Sequence, residues 1–84
     1  MLTLDEKLVL LIEECAEVIQ AATKCQRFGY NRHQPGYGVN SEILSREVGD
    51  LLGIIDVLPL REDLVHKMRT EKIAKVEHIK MILK

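Results

Sequence analysis

The chain has 84 residues, 46% of them hydrophobic, with 12 basic against 13 acidic side chains and a net charge of −1. That length predicts one domain over residues 1–84, and that apolar content excludes a disordered chain. The near-neutral balance argues against a nucleic-acid binder, and no apolar run approaches the roughly 20 residues of a membrane span.

A single copy of so short a chain buries only a modest core. Aromatic residues are scarce (Phe28, Tyr30, Tyr37, no Trp), so a helical core has to come from Leu, Ile and Val. Both facts favour an oligomer that pools small cores. Cys15 and Cys25 lie ten residues apart, roughly 15 Å along one helix, too far to pair. No Cys/His spacing suggests zinc. The start, Met1-Leu2-Thr3-Leu4-Asp5-Glu6, lacks the basic and apolar regions of a secretory signal. The expectation is a reduced, cytoplasmic protein.

The first predicted helix covers about residues 3–28, with Thr3 or Asp5 as N-cap and no Gly or Pro before Gly29. Leu4, Leu8, Leu11, Ile12, Cys15, Ile19 and Ala22 recur at spacings of three and four and form its apolar stripe. Glu13, Glu14 and Glu17 fall within an arc of about 100° beside that stripe. Residues 29–40 hold three Gly, one Pro and two Asn and read as a loop. So long a loop is either a connector or a ligand-contacting segment, with Tyr30, Arg32, His33 and Tyr37 as its candidates.

Asn40 or Ser41 caps a second helix over about 41–58, with the stripe Leu44, Val48, Leu51, Ile54, Ile55 and Leu58. Glu47 and Asp50 lie on its apolar side. Gly49 and Gly53 suggest close helix packing. Pro59 ends the helix. A third helix over about 61–83, with a possible break near Arg69-Thr70, carries the stripe Val65, Met68, Ile73, Val76, Ile79 and Leu83. Lys72 falls inside that stripe and Arg69 at its edge. Lys72 either snorkels to water or meets the acids or a ligand phosphate. Residues 1–60 are net −4 and residues 61–84 net +3, so the third helix is either a solvated basic helix or faces something anionic. The fold class is therefore all-α, a bundle of three to four helices per chain completed by oligomerisation.

Five acids placed among apolar residues on two helices are costly unless paired or metal-bound. Their hard oxygens suit Mg²⁺, and such ions bind nucleotide phosphates, neutralise transition-state charge and activate water. Lys72 and Arg69 would then contact phosphate. A competing account makes the acids solvated flank residues salt-bridged to Arg46, Lys67 or Lys72. A di-iron carboxylate bundle needs Glu-x-x-His pairs, which the sequence lacks.

Leu11-Ile12-Glu13-Glu14-Cys15-Ala16-Glu17 followed by Arg46-Glu47-Val48-Gly49-Asp50-Leu51-Leu52 resembles the E-E-x-x-E and E-x-x-D motifs of the MazG-like, all-α nucleoside triphosphate pyrophosphohydrolases. The likeness spans about two thirds of the chain. The 29 residues between Glu17 and Glu47 are long for that family. The resemblance implies hydrolysis of a (d)NTP to the monophosphate and pyrophosphate with Mg²⁺, or with Mn²⁺ in its place, by a homodimer or homotetramer. By position it implies Glu14, Glu17, Glu47 and Asp50 as metal ligands. Glu13 is the extra acid, either a further ligand or the base that orients water. Lys72 and Arg69 are the expected phosphate contacts, and Arg27, Phe28 and the 29–40 loop the expected contacts to base or sugar. The alternative is a non-catalytic helical oligomerisation or regulatory module that keeps the fold.

Overall fold

The first helix begins where the sequence supplies a cap. In the computed structural model, which describes residues 1–83 and side-chain burial as far as Ile79, helix α1 runs Leu4–Phe28. The Thr3 N–H donates to Glu6 Oε1 at 2.9 Å, and the Glu6 N–H donates to Thr3 Oγ1 at 3.1 Å. This reciprocal pair satisfies two of the donors that a helix start leaves open. The helix closes at Gly29, whose N–H donates to the Cys25 carbonyl at 3.0 Å.

The loop is more ordered than its composition suggests. Two short strands, β1 (His33–Gln34) and β2 (Gly38–Val39), pair antiparallel, with His33 opposite Val39 and Gln34 opposite Gly38. Gly36 and Gly38 have φ of 84° and 106°, a region in which side chains are strained. A Cβ on Gly38 would also come within 3.3 Å of Arg46 Nη2. The ladder is thus a glycine-made hairpin inside an otherwise helical chain.

Helix α2 runs Asn40–Val57 and α3 runs Glu62–Leu83. The expected cap on α2 is not made: Val39 holds the N-cap position without a side-chain bond. Asn40 is instead buried, and its Nδ2 donates to the Gly29 carbonyl at 2.9 Å. The Asn40 N–H donates to Arg32 O at 3.0 Å and the Ser41 N–H to Tyr30 O at 2.8 Å. The start of α2 is therefore tied to the end of α1, and the two helices form an antiparallel hairpin. Leu58 and Pro59 close α2 as expected, and α3 is unbroken at Arg69-Thr70.

The seam of the hairpin is read from burial. Lys7, Leu11, Glu14, Val18, Ala21 and Cys25 on α1 are withdrawn from solvent, at alternating spacings of four and three. Asn40, Leu44, Glu47, Leu51 and Ile54 on α2, and Leu58 at its C-cap, follow the same alternation. This is the spacing of two helices packed nearly parallel in axis. The α2 stripe faces α1 as expected. The α1 stripe needs correction. Leu8, Ile12, Cys15 and Ile19 point away from α2, and Ile12 and Ile19 are 68% and 66% exposed. The oiliest row of α1 is one residue out of step with the row that packs.

Helix α3 makes no extended packing contact with α1 or α2, and its residues through Ile79 are exposed. The side chain of Leu83, the last member of its expected stripe, lies outside the described residues. Gly49 and Gly53 also allow no close approach here, since nothing lies within 4 Å of a Cβ built on either. Ala21 and Leu58 are the buried apolar residues among those described. The chain extends over 38 × 38 × 14 Å with a radius of gyration of 15.6 Å, against roughly 12 Å for a compact domain of this length. Its accessible surface is 7040 Å², roughly 2,000 Å² more than a compact monomer of this mass presents. No helix among the described residues is long and apolar enough to cross a membrane.

Candidate metal centre

Glu14 and Glu47 sit in the seam itself, at positions that a helical hairpin ordinarily fills with Leu or Val. Asp50 follows Glu47 by three residues and Glu17 follows Glu14 by three, so each helix adds a second acid one turn away. One carboxylate oxygen from each of Glu14, Glu47 and Asp50 lies within 4.8 Å of the other two. Glu14 and Glu47 are half-buried and Asp50 is exposed.

Two atoms of the site stand apart. Glu14 Oε2 and Glu47 Oε2 are shut off from solvent, and neither has a hydrogen-bond partner. Buried acceptors of this kind carry a desolvation cost that something else has to offset. Among the described residues no counter-charge does so. Among the described residues the ion pair is Arg61 with Asp63, at 2.8 Å in the first turn of α3. Arg46 donates instead to the Tyr37 carbonyl at 3.2 Å. Glu13, Glu17 and Asp50 are thus solvated, but none of the five acids is salt-bridged to Arg46, Lys67 or Lys72 among the described residues.

The carboxyls perturb one another accordingly. Withdrawal from water, then repulsion from Glu17 and Asp50, pushes the Glu14 carboxyl above its ordinary range, with Glu13 adding a smaller push. A proton shared with Glu17 is the main cause of the rise at Glu47, followed by withdrawal from water and repulsion from Glu17, Asp50 and Glu14. An all-oxygen donor set of hard carboxylates, with two oxygens orphaned, is one that could hold a hard metal ion. Glu17 is exposed and stands outside the three-oxygen set, yet like Asp50 it acts on both seam carboxyls.

The remaining expected site residues are scattered. Glu13 is exposed on α1, on the Glu17 side of the helix. Arg27 is exposed at the end of α1, with its guanidinium 5.3 Å from the Phe28 ring centroid. Arg69 lines a hollow of about 230 Å³ at the α2–α3 turn, beside Asp56 and His66. Lys72 is exposed further along α3. Because α3 does not pack on the hairpin, a single chain brings neither Arg69 nor Lys72 to the carboxylates.

The structure adds Gln20, Lys24 and Ile43 to the neighbourhood of the acids and brings the loop candidate Tyr37 to the same place. A pocket of about 270 Å³ opens beside the acids, lined by Glu17, Gln20, Ala21, Lys24, Tyr37, Ile43 and Glu47. Lys24 is the signal that was available. It lies seven residues, two helical turns, beyond Glu17 and so on the same line of α1. Tyr37 arrives through the hairpin turn, which spacing along α1 cannot reveal. Comparison of the chain with protein-family models, with curated proteins and with solved structures finds no match.

Proposed function

We propose that the chain is a Mg²⁺-dependent nucleoside triphosphate pyrophosphohydrolase that works as a homodimer or homotetramer in a reduced, cytoplasmic setting. The observation that carries this is the pair of orphaned seam oxygens on Glu14 and Glu47, set within the E-E-x-x-E and E-x-x-D spacing. Glu14, Glu47 and Asp50 hold the cation, and Glu17 completes the set. A divalent ion held there supplies charge neutralisation for substrate phosphates and acidifies water. Glu13, four residues before Glu17 and open to solvent, is the acid placed to orient the attacking water and take its proton. Water adds to a phosphorus of the triphosphate, the phosphoanhydride bond breaks, and pyrophosphate leaves with the monophosphate as the other product.

Assembly is supported by the excess surface and by the exposed row Leu8, Ile12 and Ile19. An excess of roughly 2,000 Å² per copy is the area that obligate interfaces bury. In such an assembly Arg69 and Lys72 serve substrate only if α3 of a second copy lies over the carboxylate face.

The test is incubation of the protein with each dNTP and Mg²⁺, followed by assay of pyrophosphate. Release with one or more nucleotides, abolished by Glu47→Gln, is the expected result. No release with any of them, from folded protein, overturns the assignment and leaves the helical module without catalysis.

A further inference from the structure

We propose that Lys24, and not a cation from α3, holds the phosphate chain of the substrate, and that the hollow beyond it takes the base. This rests on the metal reading of the neighbouring carboxylates and deepens it.

Two pockets meet at Lys24. The first, of about 270 Å³, is lined by Glu17 and Glu47 together with Lys24 and Tyr37. The second, of about 280 Å³, continues from Lys24 and is lined by Phe28, Arg32 and His33 among others. Along α1 the order is therefore Glu17, Lys24, then Phe28, with Arg32 and His33 lining the second pocket. A nucleoside triphosphate has the matching order of phosphate chain, sugar and planar base. Glu17 and Lys24 are two turns apart, roughly 10 Å along α1, so a bound anion can engage the metal end and the ammonium together. A ring beside nitrogen donors is the usual means of holding a base.

The outer wall is fixed before any ligand arrives. Arg46 donates to the Tyr37 carbonyl, the Asn40 N–H to Arg32 O, and Asn40 Nδ2 to Gly29 O, at 3.2, 3.0 and 2.9 Å. These bonds fasten the hairpin loop to both helices, so Tyr37 and Arg32 are held at the pocket edge. The competing cation is poorly placed. The exposed row Leu8, Ile12 and Ile19 lies roughly 140–180° around α1 from Glu17. A second copy seated on that row lies across the hairpin from the carboxylates, whereas Lys24 lies on the Glu17 side of α1.

The test measures binding to the full-length chain and to its Lys24→Met, Lys72→Met and Phe28→Ala variants. The probes are Mn²⁺ alone, tripolyphosphate with Mn²⁺, and the α,β-methylene analogues of the four dNTPs with Mn²⁺. Lys24→Met is expected to weaken tripolyphosphate and the best analogue at least tenfold, with Mn²⁺ affinity within twofold of the parent. Phe28→Ala weakens the analogue but not tripolyphosphate, and Lys72→Met changes neither by more than twofold. Unchanged anion binding in Lys24→Met, or its loss in Lys72→Met, overturns the assignment of Lys24 while leaving the metal site standing. A parent chain that binds no Mn²⁺ overturns the metal reading and this proposal with it. A parent that binds Mn²⁺ but no analogue overturns this proposal alone.

Discussion

Glu14 on α1 and Glu47 on α2 face each other across the seam of one helical hairpin, and each keeps an oxygen, Oε2, buried without a partner. Both carboxyls are raised above the ordinary value of 4.5. The folded chain therefore holds protons there that the unfolded chain releases. That contribution to stability is fully present below the ordinary value and is lost as pH rises through the raised one. With metal removed by chelation, the melting temperature is expected to fall as pH climbs out of the acid range. Excess Mg²⁺ should remove most of the fall, because a bound cation favours the ionised carboxylates. Calorimetric melting from about pH 4 to pH 8, with and without Mg²⁺, checks this. A chelated protein that gains stability across the same window would contradict it.

Replacing one seam acid separates charge from shape. Glu47→Gln keeps the side-chain length and removes the charge that opposes Glu14, Glu17 and Asp50. The metal-free melting temperature at neutral pH is expected to rise. The parent should gain about 2.7 kcal/mol at a free metal concentration one hundred times its Kd, a rise on the order of 10 °C for a chain this size. Glu47→Gln should lose nearly all of that metal-dependent rise. Melting at a series of Mn²⁺ concentrations reads both effects from one protein.

The exposed row of α1 predicts self-association. Ile12→Asp with Ile19→Asp places two charges in that row without touching the seam. The parent is expected to sediment as a dimer or larger at tens of micromolar, and the double variant as a monomer. Because the row and the carboxylates lie on opposite sides of the hairpin, the variant should still bind Mn²⁺. Sedimentation velocity and Mn²⁺ titration on the same sample test the two halves of the statement. A monomeric parent refutes the first half.

Asn40 joins three segments through one side chain and one N–H. Asn40→Ala leaves the Gly29 carbonyl unpaired beside a small cavity, at an expected cost of about 1–3 kcal/mol. Urea unfolding reads that loss. The same variant should weaken nucleotide-analogue binding more than Mn²⁺ binding, since it loosens the loop wall and not the seam acids.

Much of the fold is written locally. The ends of α1 follow from Thr3, Glu6 and Gly29, and the end of α2 from Pro59, because capping and proline chemistry act within a few residues. Glu14 and Glu47 come together because spacings of three and four within each helix already place them on the packing sides. What local spacing cannot supply is the choice between two rows one residue apart on α1. The row richer in Leu and Ile is the natural choice for the core, yet the hairpin buries the row containing Lys7 and Glu14. Hydrophobic periodicity reports that a row will be covered, and does not say by which surface. The position of α3 was hidden for the same reason, since a stripe with Lys72 inside it has no partner within the chain. Tyr37 and Arg32 depend on a glycine hairpin whose two-residue strands carry no periodic signal at all.

The offset rows of α1 make the isolated chain a locally frustrated object. Turning α1 by one residue about its axis would bring Leu8, Ile12, Cys15, Ile19 and Ala22 against α2 and release Glu14 to water. In the observed arrangement that row stays exposed and Glu14 stays in the seam. A surface that covers Leu8, Ile12 and Ile19 would therefore act on the same helix whose other side holds Glu14 in the seam, which couples any assembly of the chain to the carboxylates through the rotation of α1.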